Sequence, residues 1–384
     1  MATTHQGRAI TSVEAFVVRH KLDPRTGPSI ALSSEHAYAL VKLTDADGRA
    51  GWGETYLVPG LVPMLDAVGA LLIGHAATSL RELVGEIRWS LEHSYARSAL
   101  IIALEDLRAR QLGCSVAETY GGASRTRVRA YAASGGYIEH VRPDESWPRE
   151  VERIREAGFT ALKMRIGRFP ITHEMRLLEK LRSDHPAPFD FMADGNAAYT
   201  FPEAVKMGNF LDRLGYVWFE EPLRQRDNYA GYERLAAALD IALAGGEVLE
   251  SRADALEFLS RAPVDIVQPE PVICGGVGET LWIADLADLH AITTMPHTSN
   301  NGLGIAAALQ VLAVLPNPTR SPSSAEPFIE YGVDDNPHRT GILGAPFEFH
   351  DGWITIPTGP GLGVEIDEGY VRHHAVDMRV ATPA

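Results

Sequence analysis

Six short apolar runs between residues 161 and 298 each end on a chargeable residue. They are ALKMR (161–165), FMADGN (191–196), VWFEEP (217–222), ALAGGE (242–247), DIVQPE (265–270) and TTMPHT (293–298). Continuous β-forming or small apolar residues of this length predict buried parallel strands. The intervening segments carry apolar residues at helical spacing, as in WPREVERIREAG, ITHEMRLLEKLRSDH and ETLWIADLADLH. With RVRAYAASGG before them and SAEPFIEY after GIAAALQVLAVL, the pattern predicts eight strands and seven intervening helices. Regular alternation of this kind predicts an α/β fold, a (β/α)7β barrel, over residues 126–349.

The first 125 residues follow a different pattern. Residues 8–19 and 38–53 read as strands, the second turning at Asp45-Ala46-Asp47-Gly48, an Asp-Gly hairpin signal. Helical periodicity follows in LVPMLDAVGALLIG, LRELVGEIRWSL and ARSALIIALEDLRARQLG. This predicts an α+β capping domain over 1–125, with the Gly/Pro-rich tail 350–384 returning to join it. Segments 20–30 and 53–60 are punctuated by Pro and Gly and read as loops.

Composition narrows the setting. The chain has 384 residues, 45% hydrophobic and 22% charged, ample for a barrel with a smaller partner. A net charge of −15 argues against nucleic acid, which needs a basic face. No apolar run reaches membrane-spanning length, and the opening MATTHQGRAI lacks a leader pattern, so the reading is a cytoplasmic protein without a membrane partner. Cys114 and Cys274 form no spacing pattern, which suits a reducing compartment, although sequence does not exclude a disulfide.

Barrel enzymes place their chemistry at the C-terminal ends of the strands. Asp194, Glu220 and Glu247 end three consecutive strands, 26 and 27 residues apart, about one strand–helix unit each. A lone Glu there would be read as a helix cap. Three carboxylates in register repel one another unless a cation sits between them, and all-oxygen ligation suits Mg²⁺ first and Mn²⁺ second. Glu221 is read as a supporting neighbour. His297 ends the seventh strand and Glu270 the sixth; a carboxylate on His Nδ1 fixes the tautomer and raises basicity, which makes a general base. The plainer reading of His297 is a cap on the loop PHTSNNG. Lys163 and Arg165, two apart, share the barrel's inner face and suit clamping a carboxylate or a developing oxyanion; a purely structural pairing with Asp194 or Glu220 is the alternative. Glu330, at the eighth strand's end, would donate a hydrogen bond to substrate if protonated. Ser134 and Asn196 are candidate substrate contacts on the same rim.

Together, ALEDLRARQLG…YGG, FEEP, AGGE, QPE…GG and PHT resemble the enolase superfamily, and within it the mandelate racemase-like subgroup. The resemblance covers nearly the whole chain. It implies a K-x-(K/R) strand, a D…E…E metal triad, an acid–His dyad and a final Glu. It further implies Mg²⁺-assisted removal of the proton α to a carboxylate, giving an enediolate; this Lys-or-His-base arrangement is a known pattern of the superfamily. Two positions depart from it. Glu270 stands where the subgroup usually has Asp, and Arg165 where it has a second Lys. Arg is a poor proton acceptor, which weakens racemisation, a reaction needing one base per face. QPEPVICGG holds no Lys, which sets the muconate-cycloisomerase and dipeptide-epimerase relatives aside.

The expectation is a Mg²⁺-dependent dehydratase of a sugar acid, aldonate or aldarate, yielding a 2-keto-3-deoxy acid. The alternatives are a sugar-acid lactone cycloisomerase or an epimerase on the same enediolate, and, from another class, a non-catalytic metal-binding barrel. The 20–30 and 53–60 loops should cover the barrel mouth, with His20, Arg25 and Tyr56 as candidate substrate contacts. The partner is a small carboxylate, and the resemblance implies a homo-oligomer.

Overall fold

A computed structural model describes residues 8–225, 229–317 and 327–381 of the chain. The first seven residues, part of the segment read for a leader, lie outside the described residues, as does the Ser324-Ala325-Glu326 start of the eighth strand segment.

The N-terminal unit is an antiparallel meander of β1 (Ile10–Gly27), β2 (Ser33–Asp45) and β3 (Ala50–Tyr56). The turn between β2 and β3 falls on the Asp-Gly signal, with Asp45 Oδ1 accepting from the backbone of Asp47 and Arg49 at 3.0 and 2.8 Å. Helices Leu61–Gly69, Leu80–Ser90 and Ser94–Leu112 pack on this sheet. Ser94–Leu112 lies so close to β3 that a Cβ on Gly51 or Gly53 would stand 2.4 or 2.1 Å from a helix carbonyl oxygen. The GWG spacing thus exists for backbone approach.

Segment 20–30 departs from its reading as a loop: β1 continues to Gly27. Asp23-Pro24 sits inside the register break between Lys21 and Thr26, where the ladder asks nothing of proline's missing N–H. Beyond it, Thr26 and Gly27 pair with β5 (Tyr137–Ile138), a short strand after β4 (Arg127–Ser134) in the second unit. Likewise 53–60 starts as β3 and becomes irregular only after Tyr56.

From β4 onward the strands are β6 (Ala161–Arg165), β7 (Asp190–Asp194), β8 (Trp218–Glu220), β9 (Ala242–Gly245), β10 (Ile266–Val267), β11 (Thr293–Thr294) and β12 (Phe328–Gly332). They form a parallel arc in the order β12-β4-β6-β7-β8-β9-β10-β11. Between the two ends of the arc, Thr298 donates to Glu330 from its backbone N at 3.1 Å and from Oγ1 to the Glu330 carbonyl at 2.6 Å. The helices between strands are those the periodicity predicts, within a few residues: Pro143–Glu156, Ile171–Asp184, Phe201–Arg213, Tyr229–Ala236, Arg252–Arg261, Gly276–Leu289 and Gly302–Val314. Outward strand residues such as Leu162, Phe191 and Leu243 pack on these helices. Inward ones, including Tyr131, Met192, Trp218 and Phe328, fill the barrel floor. The fold is therefore the mixed α/β arrangement expected: a capping unit and a barrel-like unit.

The tail divides rather than returning whole to the cap. β13 (Phe349–His350) and β14 (Trp353–Thr355) form a hairpin whose second strand runs antiparallel to β4 of the barrel. Only β15 (Ala375–Ala381) reaches the N-terminal sheet, along β1. Phe16, Leu40 and Trp52 of the cap share one core with Val272, Ile273 and Leu303 of the barrel. Two buried cap carboxylates reinforce that contact by receiving the N–H groups of barrel helices: Glu54 from Asn301 and Gly304, and Glu105 from Val277 and Gly278. Both cysteines are free, and no helix of the described residues is long and apolar enough to cross a membrane.

Candidate active site

A cavity of about 1010 Å³ opens at the C-terminal ends of the barrel strands, under the far end of β1 and the segment after β3. Its inner wall includes Arg165, Asp194, Glu247, Glu270 and His297. Strand register explains the gathering: Arg165 pairs with Asp194, Asp194 with Glu220, and Glu220 with Ala244 of the next strand, so one interior layer carries these groups.

The acidic triad is crowded: Asp194 and Glu220 are buried, and Glu247 is partly open to the cavity. Burial first, then the neighbouring Glu220 charge, pushes Asp194 up to about 7. Burial likewise raises Glu247, against the pull of His297. Glu221 is raised well above the carboxylate range by burial and then by Glu247 and Asp194, as suits a residue beside the triad. Its backbone and that of Asn196 have φ of 38° and 43°, strained for side chains with a Cβ and located at adjacent strand ends. The strain has a local return at Asn196, whose backbone N and Nδ2 both donate to Asp194, at 2.8 and 2.9 Å.

Glu220 is held by Trp218 Nε1 at 3.0 Å, Gln268 Nε2 at 2.8 Å and Lys163 Nζ at 2.5 Å. Lys163 also meets Glu330 at 2.9 Å and stands 3.9 Å from Asp194. Burial alone would lower Lys163, but Glu220 and Glu330 outweigh it and hold the ammonium well above its usual range. Lys163 is 1% exposed and lies behind the cavity wall, whereas Arg165 lines the cavity with a buried Nε lacking a hydrogen-bond partner. The two-cation clamp is thus split: Lys163 neutralises the wall, and Arg165 faces the cavity.

His297 Nδ1 stands 2.8 Å from Glu270 Oε2, so the longer Glu makes the contact with histidine. Tyr56 Oη and Asn300 Nδ2 each donate to Glu270 Oε1 at 2.6 Å, fixing the carboxylate's rotation. His297 Nε2 is 3.2 Å from Glu247 and 3.5 Å from Glu330. Burial opposes its protonation, yet the Glu330, Glu247 and Glu270 charges together hold it well above an ordinary imidazole. Glu330 is pulled the other way: against burial, His297 and Lys163 keep it below the usual carboxylate range. The hydrogen bond that Glu330 would donate if protonated thus competes with its neighbours, since Lys163 at 2.9 Å and the Thr298 N–H at 3.1 Å both favour the accepting carboxylate.

The remaining candidates scatter. Ser134 lines the cavity but its hydroxyl is spent on Glu150. Tyr56 lines it and serves Glu270. His20 and Arg25 are not part of the wall; they face Asp335 and Glu139, because the β1 extension turns them away from the mouth. Sequence reasoning passed over Trp218, Gln268, Asn300 and Thr298. The first two were findable, since each stands two residues before an assigned carboxylate on the same strand face. Asn300 and Thr298 come from loop geometry that no periodicity encodes.

Among the described residues no three His, Cys, Asp or Glu side chains form a ready-made ion cage. The donor chemistry nonetheless fits a hard divalent cation: three carboxylates at the ends of consecutive strands, of which Asp194 and Glu247 are both raised by burial and by the Glu220 charge. Exchanging Glu270 for Gln is expected to lower kcat on the order of 100-fold, because the amide cannot support His297 as the carboxylate does. Removing the Glu270 charge also lowers the His297 pKa, so the rising limb of the pH–rate profile should move to lower pH. Steady-state rates across pH check both.

Residues 12–121 match the model of the mandelate racemase / muconate lactonizing enzyme N-terminal domain, and residues 147–370 that of the enolase C-terminal domain-like family. The chain is 34% identical to D-galactarolactone cycloisomerase of Agrobacterium fabrum over 370 residues, covering 93% of this chain and 96% of that one. It is 28% identical to arabinonate dehydratase of Saccharolobus solfataricus over 361 residues, covering 90% and 93%. The crystal structure of L-talarate/galactarate dehydratase from Salmonella typhimurium LT2, liganded with Mg and L-lyxarohydroxamate, superposes with a TM-score of 0.87 at 24% identity, covering 100% of this chain and 97% of that one, and supports the fold.

Proposed function

The chain belongs to the mandelate racemase / muconate lactonizing enzyme family of the enolase superfamily, and from that premise we propose that it removes the proton α to the carboxylate of a sugar acid and expels the β-oxygen, acting as a dehydratase. The observation that carries this reading is the asymmetry of the basic groups. His297 lines the cavity and is oriented by Glu270, while Lys163 is held as an ammonium between Glu220 and Glu330. Arg165 is no proton acceptor at ordinary pH. One base serves elimination, whereas racemisation needs an acceptor on each face of the α-carbon.

In this mechanism Arg165 seats the substrate carboxylate. His297 Nε2 takes the α-proton, and Glu270 stabilises the resulting imidazolium through Nδ1. The electron pair left at the α-carbon forms the enediolate; its collapse breaks the bond to the β-hydroxyl, and the imidazolium returns the proton to that oxygen as water. The enol left behind ketonises to a 2-keto-3-deoxy acid. Asp194, Glu220 and Glu247 would hold Mg²⁺, which when bound supplies positive charge against the enediolate and favours a neutral His297.

A second reading, favoured by the 34% similarity to D-galactarolactone cycloisomerase, keeps every residue role and changes the leaving group to the ring oxygen of a lactone. A panel of sugar acids and their lactones incubated with Mg²⁺ and followed by NMR separates the two. Keto-deoxy acid formed from an open acid supports dehydration. Lactone consumed while open acids persist moves the assignment to cycloisomerisation, and inversion at the α-carbon without elimination overturns the one-base scheme.

A further inference from the structure

We propose that the substrate carries a single free carboxylate, seated at Arg165, and that its far end is an uncharged, hydroxyl-bearing chain. This rests on the sugar-acid reading above and narrows it from aldonates and aldarates together to the monoacids. A mono-lactone of a diacid, which has one free carboxylate, falls on the accepted side.

The cavity is large enough to enclose a six-carbon acid, so the charges of its outer wall act on the far end of the substrate as those of the inner wall act on the near end. The outer wall, built by the cap and by the segment after β12, brings Asp23, Glu35, Asp334 and Asp335 to the cavity; Glu35 is paired with Arg19, Asp335 with His20 at 3.1 Å and Asp334 with His36 and Arg339, while Asp23 forms no ion pair among the described residues. A diacid needs a second cation there, and the cations present are already matched to acids of this chain. Arg153 reaches both oxygens of Glu150, at 2.9 and 2.6 Å, and the Val333 carbonyl at 3.1 Å. His36 Nε2 is 2.6 Å from Asp334 Oδ2, and Arg339 holds the other oxygen of the same carboxylate at 2.5 Å. Arg165 differs from both: among the described residues it forms no ion pair, and its buried Nε has no hydrogen-bond partner. It sits on the inner wall, beside Asp194 in register.

One cationic seat and an outer wall whose cations are matched to its own acids select by charge. Carboxylate oxygens accept hydrogen bonds and cannot donate them, so the outer wall suits hydroxyl donors and repels a second carboxylate. Like charges set against each other in a partly enclosed cavity cost enough to discriminate on the order of 100-fold.

The experiment compares six-carbon aldonates with the aldarates of the same configuration, using the full chain with Mg²⁺. Binding is measured by isothermal titration, and α-proton exchange by NMR in D₂O. A monoacid that binds on the order of 100-fold more tightly than its matched diacid upholds the proposal. Equal or tighter binding of the diacid, or no binding by any open acid or by the mono-lactones of the same diacids titrated beside them, overturns it. If the preference holds but no α-proton exchanges, the enolising reading fails and the charge rule stands. If diacids exchange as readily as monoacids, the charge rule fails and the enolising reading stands. Asp335→Lys, at an 82% exposed side chain, places a cation at the mouth and should narrow the preference on the order of 10-fold. An unchanged preference would show that the acidic outer wall is not its cause.

Discussion

Replacing His297 by Asn is expected to reduce elimination on the order of 10⁴-fold and to remove α-proton exchange from the enzyme altogether. The size of the effect follows from the absence of a substitute among the cavity's described groups. Lys163 is 2.5 Å from Glu220 and 2.9 Å from Glu330, so freeing its amine for proton transfer means stripping a buried ion pair on two sides. Glu330 is drawn toward its ionised form and is already engaged by the Lys163 ammonium and the Thr298 N–H. The asparagine keeps the size and polarity of the site, and its amide can still face Glu270, so the fold should persist with an unchanged circular-dichroism spectrum. Single-turnover kinetics, free of product release, give the cleanest reading of the chemical step.

The second large effect is expected at Glu247. Its exchange for Gln should lower Mg²⁺-dependent turnover on the order of 10³-fold and weaken Mg²⁺ binding in direct titration. One full negative charge leaves a set of three, and a hard cation gains most from charged oxygens. The substitution also changes His297, because Glu247 lies 3.2 Å from Nε2 and is one of the charges that raise its pKa. Loss of that charge makes the imidazole easier to deprotonate, so the variant's residual activity should rise to its plateau at lower pH than in the wild type. Full activity with unchanged Mg²⁺ affinity would remove Glu247 from the ligand set.

These effects were legible in the sequence to the extent that they depend on strand ends. Parallel strands of small apolar residues ending on Asp194, Glu220, Glu247, Glu270 and His297 set both the barrel and the layer of charge, because register and period two leave little freedom about where such side chains go. The same logic misjudged residues whose placement depends on tertiary pairing. Pro24 marked a loop in a local reading, yet it occupies a register break in an 18-residue strand whose end is tied to β5. That pairing turns His20 and Arg25 away from the cavity. The β14 hairpin was missed because its partner, β4, lies more than two hundred residues earlier in the chain. Ionisation was the least legible quantity. Glu330 alone would be an ordinary buried acid that prefers its proton, and only the proximity of Lys163 and His297 reverses that preference. Lys163 and Arg165 look equivalent as letters two apart, but one is enclosed by carboxylates and the other opens onto the cavity.

In the proposed reaction one histidine, oriented by Glu270, transfers the α-proton of a sugar monoacid. The most direct test follows loss of the α-proton signal by NMR in D₂O with Mg²⁺, for the wild type and for His297→Asn in parallel, using an acid that binds. Rapid loss is expected with the wild type, coupled to keto-deoxy product, and none above the uncatalysed rate with the variant. Loss at a comparable rate in both would contradict this scheme and assign the proton to another residue.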